Sequence, residues 1–251
     1  MNRSGTFGLL AAALLLLTMP VYAIVARARP RDPEVARRPR TVLLGYWVRD
    51  WLLWVITPLE WLFLALGIPP TAFNWAGVAF GLAAGVAYAR GAFAAAGWLV
   101  LLGGAADIFD GRIARARGLV SKAGAFLDST LDRFAETFAY AGLAVWARSS
   151  AWGVLAAVLA LGGSLLVSYA RARGEGLGVR YQGGLMQRAE RLVLLALASL
   201  LDPAVTPLAG WPPGRLLLGV LAFIGVASLG TALHRTLAIA RALEGEEPPR
   251  R

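Results

Sequence analysis

The sequence predicts an all-α, polytopic membrane helical bundle, and three features lead there. Of its 251 residues 58% are hydrophobic and only 16% charged, where soluble domains carry about 25% charged residues. Apolar stretches of membrane-crossing length recur at 6–26, 71–89, 92–111, 124–147, 151–170, 187–204 and 214–234. The basic residues between these stretches alternate. One set of connections holds Arg27, Arg29, Arg31, Arg37, Arg38, Arg40 and Arg49, then Arg112, Arg115, Arg117 and Lys122. The same set continues with Arg171, Arg173, Arg180, Arg188 and Arg191, then Arg235, Arg241, Arg250 and Arg251. The opposite set holds only Arg90, Arg148 and Arg215. Lys and Arg accumulate in cytoplasmic loops, so the rich side is read as cytoplasmic and the protein as a resident of the cell inner (cytoplasmic) membrane.

Taken in order, residues 1–26 are read as an N-terminal anchor with its start outside. A basic start, an apolar run and Val21-Tyr22-Ala23 are also signal-like, but the following Ala26-Arg27-Ala28-Arg29-Pro30-Arg31 is unsuited to the outside. Residues 27–40 form a Pro/Arg-rich linker. Residues 41–67 interleave Trp47, Trp51, Trp54 and Trp61 with Arg49, Asp50 and Glu60. Tryptophan at this density suits the headgroup layer, so an amphipathic interfacial helix bent near Pro58 is expected, with a further span as the alternative. Pro69-Pro70 breaks the chain before six core transmembrane helices, and a polar tail ends it. The expected divisions are 1–26 (anchor), 27–67 (linker and juxtamembrane helix), 68–240 (membrane domain) and 241–251 (tail).

Composition removes several chemistries. There is no cysteine, which excludes thiolate metal sites, cysteine nucleophiles and disulfides, and the single histidine, His234, leaves no His-based zinc site or triad. A metal site must use oxygen ligands, which favours Mg²⁺, Mn²⁺ or Ca²⁺ over softer ions, with Mg²⁺ or Mn²⁺ the expected cofactor. The net charge of +10 follows the loop alternation, so the bilayer's anionic lipids are the expected partner rather than nucleic acid.

Against that apolar background stand Asp107, Asp110, Asp128 and Asp132. A charged side chain at membrane depth costs roughly 2.5–3.5 kcal/mol on insertion scales, so four together require a counter-charge. Asp107 and Asp110, at i and i+3, share one helix face, as do Asp128 and Asp132 at i and i+4. Two antiparallel helices joined by the Ala116–Ala123 connection would bring the faces together as a pocket for one or two divalent cations. Gly111, Gly124 and Ala114 leave room for close approach, and Arg115 can hold a phosphate oxygen. Metals with carboxylates suit phosphoryl transfer, in which a remaining carboxylate takes the proton of an attacking hydroxyl. A capping and salt-bridge network at a loop is the plainer alternative.

The full pattern, D-x2-D-G-x2-A-R-x8-G-x3-D-x3-D over Asp107–Asp132, resembles the signature of the CDP-alcohol phosphatidyltransferases at every fixed position. The resemblance extends over about residues 64–200. It implies a six-helix membrane bundle, commonly a homodimer, that transfers a phosphatidyl group from CDP-diacylglycerol to a hydroxyl acceptor and releases CMP. By position Asp107, Asp110, Asp128 and Asp132 would be metal ligands, with Asp132 also the general base. Gly111, Ala114, Arg115 and Gly124 would line the CDP part. One stretch departs: many members have Gly-Ile-Thr-Pro-Asn-x-x-Thr where this chain has Gly67-Ile68-Pro69-Pro70-Thr71-Ala72-Phe73-Asn74, so no nucleotide contact is assigned there.

Ser168-Tyr169-Ala170-Arg171-Ala172-Arg173-Gly174-Glu175 and Gly183-Gly184-Leu185-Met186-Gln187-Arg188-Ala189-Glu190-Arg191 are similar to stretches of the prokaryotic inositol-phosphate branch. That likeness implies inositol phosphate as acceptor, with Arg171, Arg188 and Arg191 as its ligands. Ala189 stands where the branch has Pro. Glycerol 3-phosphate or another alcohol is the alternative acceptor, and positive-inside anchoring the alternative role for these arginines. Glu136 extends the Asp128/Asp132 face and is expected to orient a ligand or pair with Arg133 or Arg171. His234 and Arg235 are read as interface residues ending the last span. From another class, a cation-binding transporter would also place carboxylates within spans.

Overall fold

The computed structural model describes residues 3–28 and 45–245. All regular structure among them is helical: α1 (Arg3–Val25), α2 (Tyr46–Ala65), α3 (Pro70–Ala89), α4 (Phe93–Ala116), α5 (Lys122–Trp146), α6 (Ala151–Gly176), α7 (Arg188–Leu208) and α8 (Arg215–Leu243). Residues 29–44, which take in most of the expected basic linker and the first four residues of the expected interfacial helix, and the end of the tail, residues 246–251, lie outside the described residues. Five of these helices, α3, α4, α6, α7 and α8, are long and apolar enough to cross a membrane. α5 is excluded from that set by its own charges, since Asp128, Asp132, Arg133 and Glu136 lie along it.

The helices form where the apolar stretches were drawn, yet several run further into polar sequence. α4 reaches Ala116 instead of stopping near 111, α6 reaches Gly176, and α8 reaches Leu243. Pro70 opens α3 at a first-turn position, where its missing N–H costs nothing. Pro58 sits inside α2 without ending it. α2 turns Trp51, Leu53, Ile56 and Glu60 inward and leaves Trp61 exposed. It is tied to α1 by Trp51 Nε1 donating to Thr18 Oγ1 (2.8 Å) and Tyr22 Oη donating to Asp50 Oδ2 (2.6 Å).

Without water to drive them together, membrane helices associate through close van der Waals packing of small residues. α3 and α5 touch backbone to backbone: a Cβ on Gly142 would stand 2.0 Å from the Gly85 carbonyl oxygen. α6 and α8 meet in the same way at Gly163, where a Cβ would lie 2.8 Å from Ser228 Cβ. The main apolar core, with Tyr88, Leu143, Leu217, Leu221 and Ile224, fills one half of the bundle. A second cluster of Leu53, Ile56, Phe73, Phe109 and Ile113 packs α2 against α3 and α4 near the opposite end.

Two buried polar residues set the loops. Asp202 on α7 is fully buried and accepts the backbone N–H groups of Gly214 (2.8 Å) and Leu217 (3.1 Å), which caps α8 from a neighbouring helix. Arg235 corrects the interface reading. Because α8 continues two turns past it, Arg235 faces inward, 4% exposed, and donates to the carbonyls of Gly183 (2.7 Å), Val167 (3.0 Å) and Gln182 (3.3 Å). His234 is exposed beside Tyr181, their ring centroids 5.9 Å apart.

Replacing Asp202 by Ala strands two buried N–H groups at roughly 1–3 kcal/mol each. A thermal unfolding midpoint in detergent lower by several degrees is expected for D202A, and an unchanged midpoint would mean that the cap carries no stability.

Candidate active site

Asp107 and Asp110 lie one turn apart near the end of α4, and Asp128 and Asp132 one turn apart near the start of α5. The turn between the helices is short for identifiable reasons. Gly118 takes φ 66°, which ends α4, and the Leu119 N–H returns to the Ala114 carbonyl at 2.8 Å. Ser121 then caps α5 by accepting the Gly124 N–H at 3.0 Å. Arg117 fastens this turn to the end of α2 through the carbonyls of Ile68 (3.0 Å) and Leu64 (2.9 Å). A carboxylate oxygen from each of Asp107, Asp110 and Asp128 falls within 4.8 Å of the others.

Asp132 is placed differently. Arg188, the first residue of α7, reaches across with Nη2 2.5 Å from Asp132 Oδ1 and Nη1 2.8 Å from Asp107 Oδ1. Behind Arg188 lies Glu136, 3.6 Å from its Nε. Glu136 also meets Arg191 (3.3 Å) and Arg133 (3.2 Å) and accepts a short hydrogen bond from the Ser164 hydroxyl on α6. Five carboxylates (Asp107, Asp110, Asp128, Asp132, Glu136) thus face three guanidinium groups (Arg133, Arg188, Arg191), a formal excess of two negative charges. One divalent cation would balance it. The donors are all hard carboxylate oxygens, so the residues fit Mg²⁺ or Mn²⁺.

The remaining expected residues divide. Gly111 and Arg115 lie together, since a Cβ on Gly111 would stand 3.1 Å from Arg115 Nη1. Ala114 completes this turn, and Gly124 opens α5 beside its cap. Arg191 lines the same cavity as the aspartates but is 2% exposed, spanning the Met186 carbonyl (3.0 Å) and Glu136. Arg171 lies away from the carboxylates on the surface, paired with Glu175 at 2.9 Å. Glu136 pairs with Arg133, as one of its expected alternatives has it, while Arg171 goes elsewhere.

Three features were not read as parts of the site from the sequence. Asn74, in the stretch that departs from the common pattern, lines the same cavity as the aspartates, and its Oδ1 is buried without a hydrogen-bond partner. An Asn in the first turns of an apolar span was the available signal. Glu60 on α2 pairs with Arg112 (2.6 Å) beside the motif. Glu190 closes a capping box with Gln187, its Oε2 accepting the Gln187 N–H at 3.1 Å, which fixes where α7 begins and therefore where Arg188 stands.

Three carboxylates able to hold a divalent cation, beside guanidinium groups at one end of a multi-pass helical bundle, fit a membrane enzyme acting on phosphorylated substrates. Residues 68–227 match the CDP-alcohol phosphatidyltransferase family, and the chain belongs to it. It is a metal-dependent transferase of phospholipid biosynthesis, which removes the transporter alternative. A phosphatidylinositol phosphate synthase of Streptomyces avermitilis is 34% identical over 225 residues, covering 87% of this chain and 89% of the relative. The phosphatidylinositol phosphate synthase PgsA1 of Mycobacterium tuberculosis with CDP-DAG bound superposes with TM-score 0.63 at 27% identity, covering 74% of this chain and 93% of that one. Its complex with manganese and citrate gives TM-score 0.64 at 28% identity, over 73% and 88% of the two chains.

Loss of one carboxylate from a three-ligand site should weaken the metal strongly. For Asp128→Asn, Mn²⁺ affinity measured by calorimetry is expected to fall at least about tenfold. Wild-type affinity would remove Asp128 from the ligand set.

Proposed function

We propose that this chain transfers the phosphatidyl group of CDP-diacylglycerol to a hydroxyl of inositol phosphate and releases CMP. The observation that carries the acceptor is Arg188, whose two-pronged guanidinium edge meets Asp107 and Asp132 of the carboxylate cluster. A guanidinium fork binds phosphate bidentately, and the relatives that are inositol phosphate synthases support that substrate. Mg²⁺ or Mn²⁺ held by Asp107, Asp110 and Asp128, with Asp132 as a further ligand, would neutralise the donor diphosphate. Gly111, Ala114, Arg115 and Gly124 hold the CDP portion. Asp132 receives the proton of the acceptor hydroxyl as that oxygen bonds to the lipid-bearing phosphorus and the bond to the CMP oxygen breaks. Arg171 joins Arg188 at the acceptor, since its exposed pair with Glu175 is worth only ~0–1 kcal/mol and is readily exchanged.

In the same reading α5 is the sixth core span, its charges turned into the bundle, and residues 68–240 are the catalytic domain. Residues 1–26 remain as an anchor, residues 27–67 as linker and interfacial helix, and residues 241–251 as tail. The basic alternation puts the site on the cytoplasmic side of the inner membrane. The working unit is a homodimer, as the family resemblance implies.

Purified protein given CDP-diacylglycerol, Mg²⁺ or Mn²⁺ and a panel of acceptors is expected to release CMP with inositol phosphate. Release only with glycerol 3-phosphate would overturn the acceptor. Asp132→Asn is expected to lower kcat by at least about 100-fold while CDP-lipid binding persists; equal loss of both would end its assignment as base.

A further inference from the structure

Two arginines at the start of a helix are electrostatically misplaced. Arg188 and Arg191 occupy the first turn of α7, at i and i+3, where like charges repel and the helix dipole disfavours cations. Both nevertheless stand with side chains largely withdrawn from solvent. The group that resolves this is Glu136. Its carboxylate lies between the two guanidinium groups, 3.3 Å from Arg191 Nη2 and 3.6 Å from Arg188 Nε.

Glu136 is itself held from three sides: by the Ser164 hydroxyl on α6, by Arg133 one turn away on α5, and by Arg191. Arg191 is in turn fixed by the Met186 carbonyl. Glu136 faces the Nε edge of Arg188, and that nitrogen has no hydrogen-bond partner of its own. With its back edge turned to Glu136, Arg188 directs Nη1 and Nη2 to Asp107 and Asp132 in the cavity.

We propose that Glu136 is the positioning residue that aims the Arg188 fork, and that preference for a phosphorylated acceptor depends on it. This rests on the reading of Arg188 as the ligand of the acceptor's phosphate. Glu136 acts through Arg188, holding the Nε edge of its guanidinium so that the other edge serves as a bidentate receptor.

The test is steady-state CMP release by full-length protein with CDP-diacylglycerol in mixed micelles, comparing inositol phosphate with unphosphorylated inositol. Glu136→Gln keeps the shape and removes the charge. It is expected to raise KM for inositol phosphate about tenfold with little change in KM for the CDP-lipid, and to narrow the preference over inositol. Glu136→Asp should recover part of the loss. A double-mutant comparison separates the routes: if Glu136 acts through Arg188, E136Q/R188Q is no worse than R188Q alone. Should E136Q not fold, Ser164→Ala removes only the hydroxyl that steadies Glu136 and should raise the acceptor KM by a smaller factor. If R188Q raises the acceptor KM while E136Q and S164A leave it unchanged, or if E136Q and R188Q are additive, Glu136 has no positioning role. If R188Q itself leaves the acceptor KM unchanged, the acceptor reading beneath the proposal fails first.

Discussion

The arrangement depends on neutralising carboxylates where water is scarce. Asp107 and Asp110 on α4 and Asp128 and Asp132 on α5 would repel one another and resist leaving water. What permits the two helix ends to converge is the guanidinium of Arg188, reaching from α7 to Asp107 and Asp132 together. The remaining excess of negative charge is what makes the cluster a receptor for a divalent cation. The same imbalance therefore underlies both the packing of this end of the bundle and its chemistry.

Arg188 can serve only if α7 begins at the right residue, and several contacts ensure that it does. Gln187 and Glu190 cap the helix. The preceding segment is pinned to α8, by Arg235 through the Gln182 and Gly183 carbonyls and by Thr231 Oγ1 accepting the Met186 N–H at 3.1 Å. At the far end Asp202 fixes α7 to the start of α8. Elsewhere the glycines at Gly85–Gly142 and Gly163 let the helix backbones approach closely. Polar clamps in loops and small residues in spans thus divide the labour, and the site occupies the end where the clamps are densest.

Belonging to the CDP-alcohol phosphatidyltransferases accounts for the aspartates and the metal, but family membership alone leaves the acceptor open. In the proposed reading the choice falls to cationic residues outside the aspartate motif. Of the three arginines expected there, Arg188 faces the cluster, Arg191 supports from the interior, and Arg171 waits at the surface. Asn74 adds an unpaired acceptor to the cavity wall in a stretch where this chain departs from the common family pattern.

Helix content, the positions of most apolar spans and the four aspartates were legible from the sequence, because hydrophobic runs and fixed spacings along one helix are local properties. Helix ends were less so: α4, α6 and α8 continue into charged sequence, where Arg112 meets Glu60, Arg171 pairs with Glu175 at the surface, and Arg235 donates to buried carbonyls. Residue chemistry alone could not separate Arg171, Arg188 and Arg191, which are similar in type and neighbourhood along the chain. Their roles are decided by what lies opposite each: Glu175 on the same helix, two aspartates across the cleft, or Glu136 in the interior. The sequence by itself determined a helical membrane enzyme with an oxygen-ligand metal site. Tertiary structure alone decided which arginine meets that site, since a guanidinium's partner is set by contacts between helices far apart in the chain.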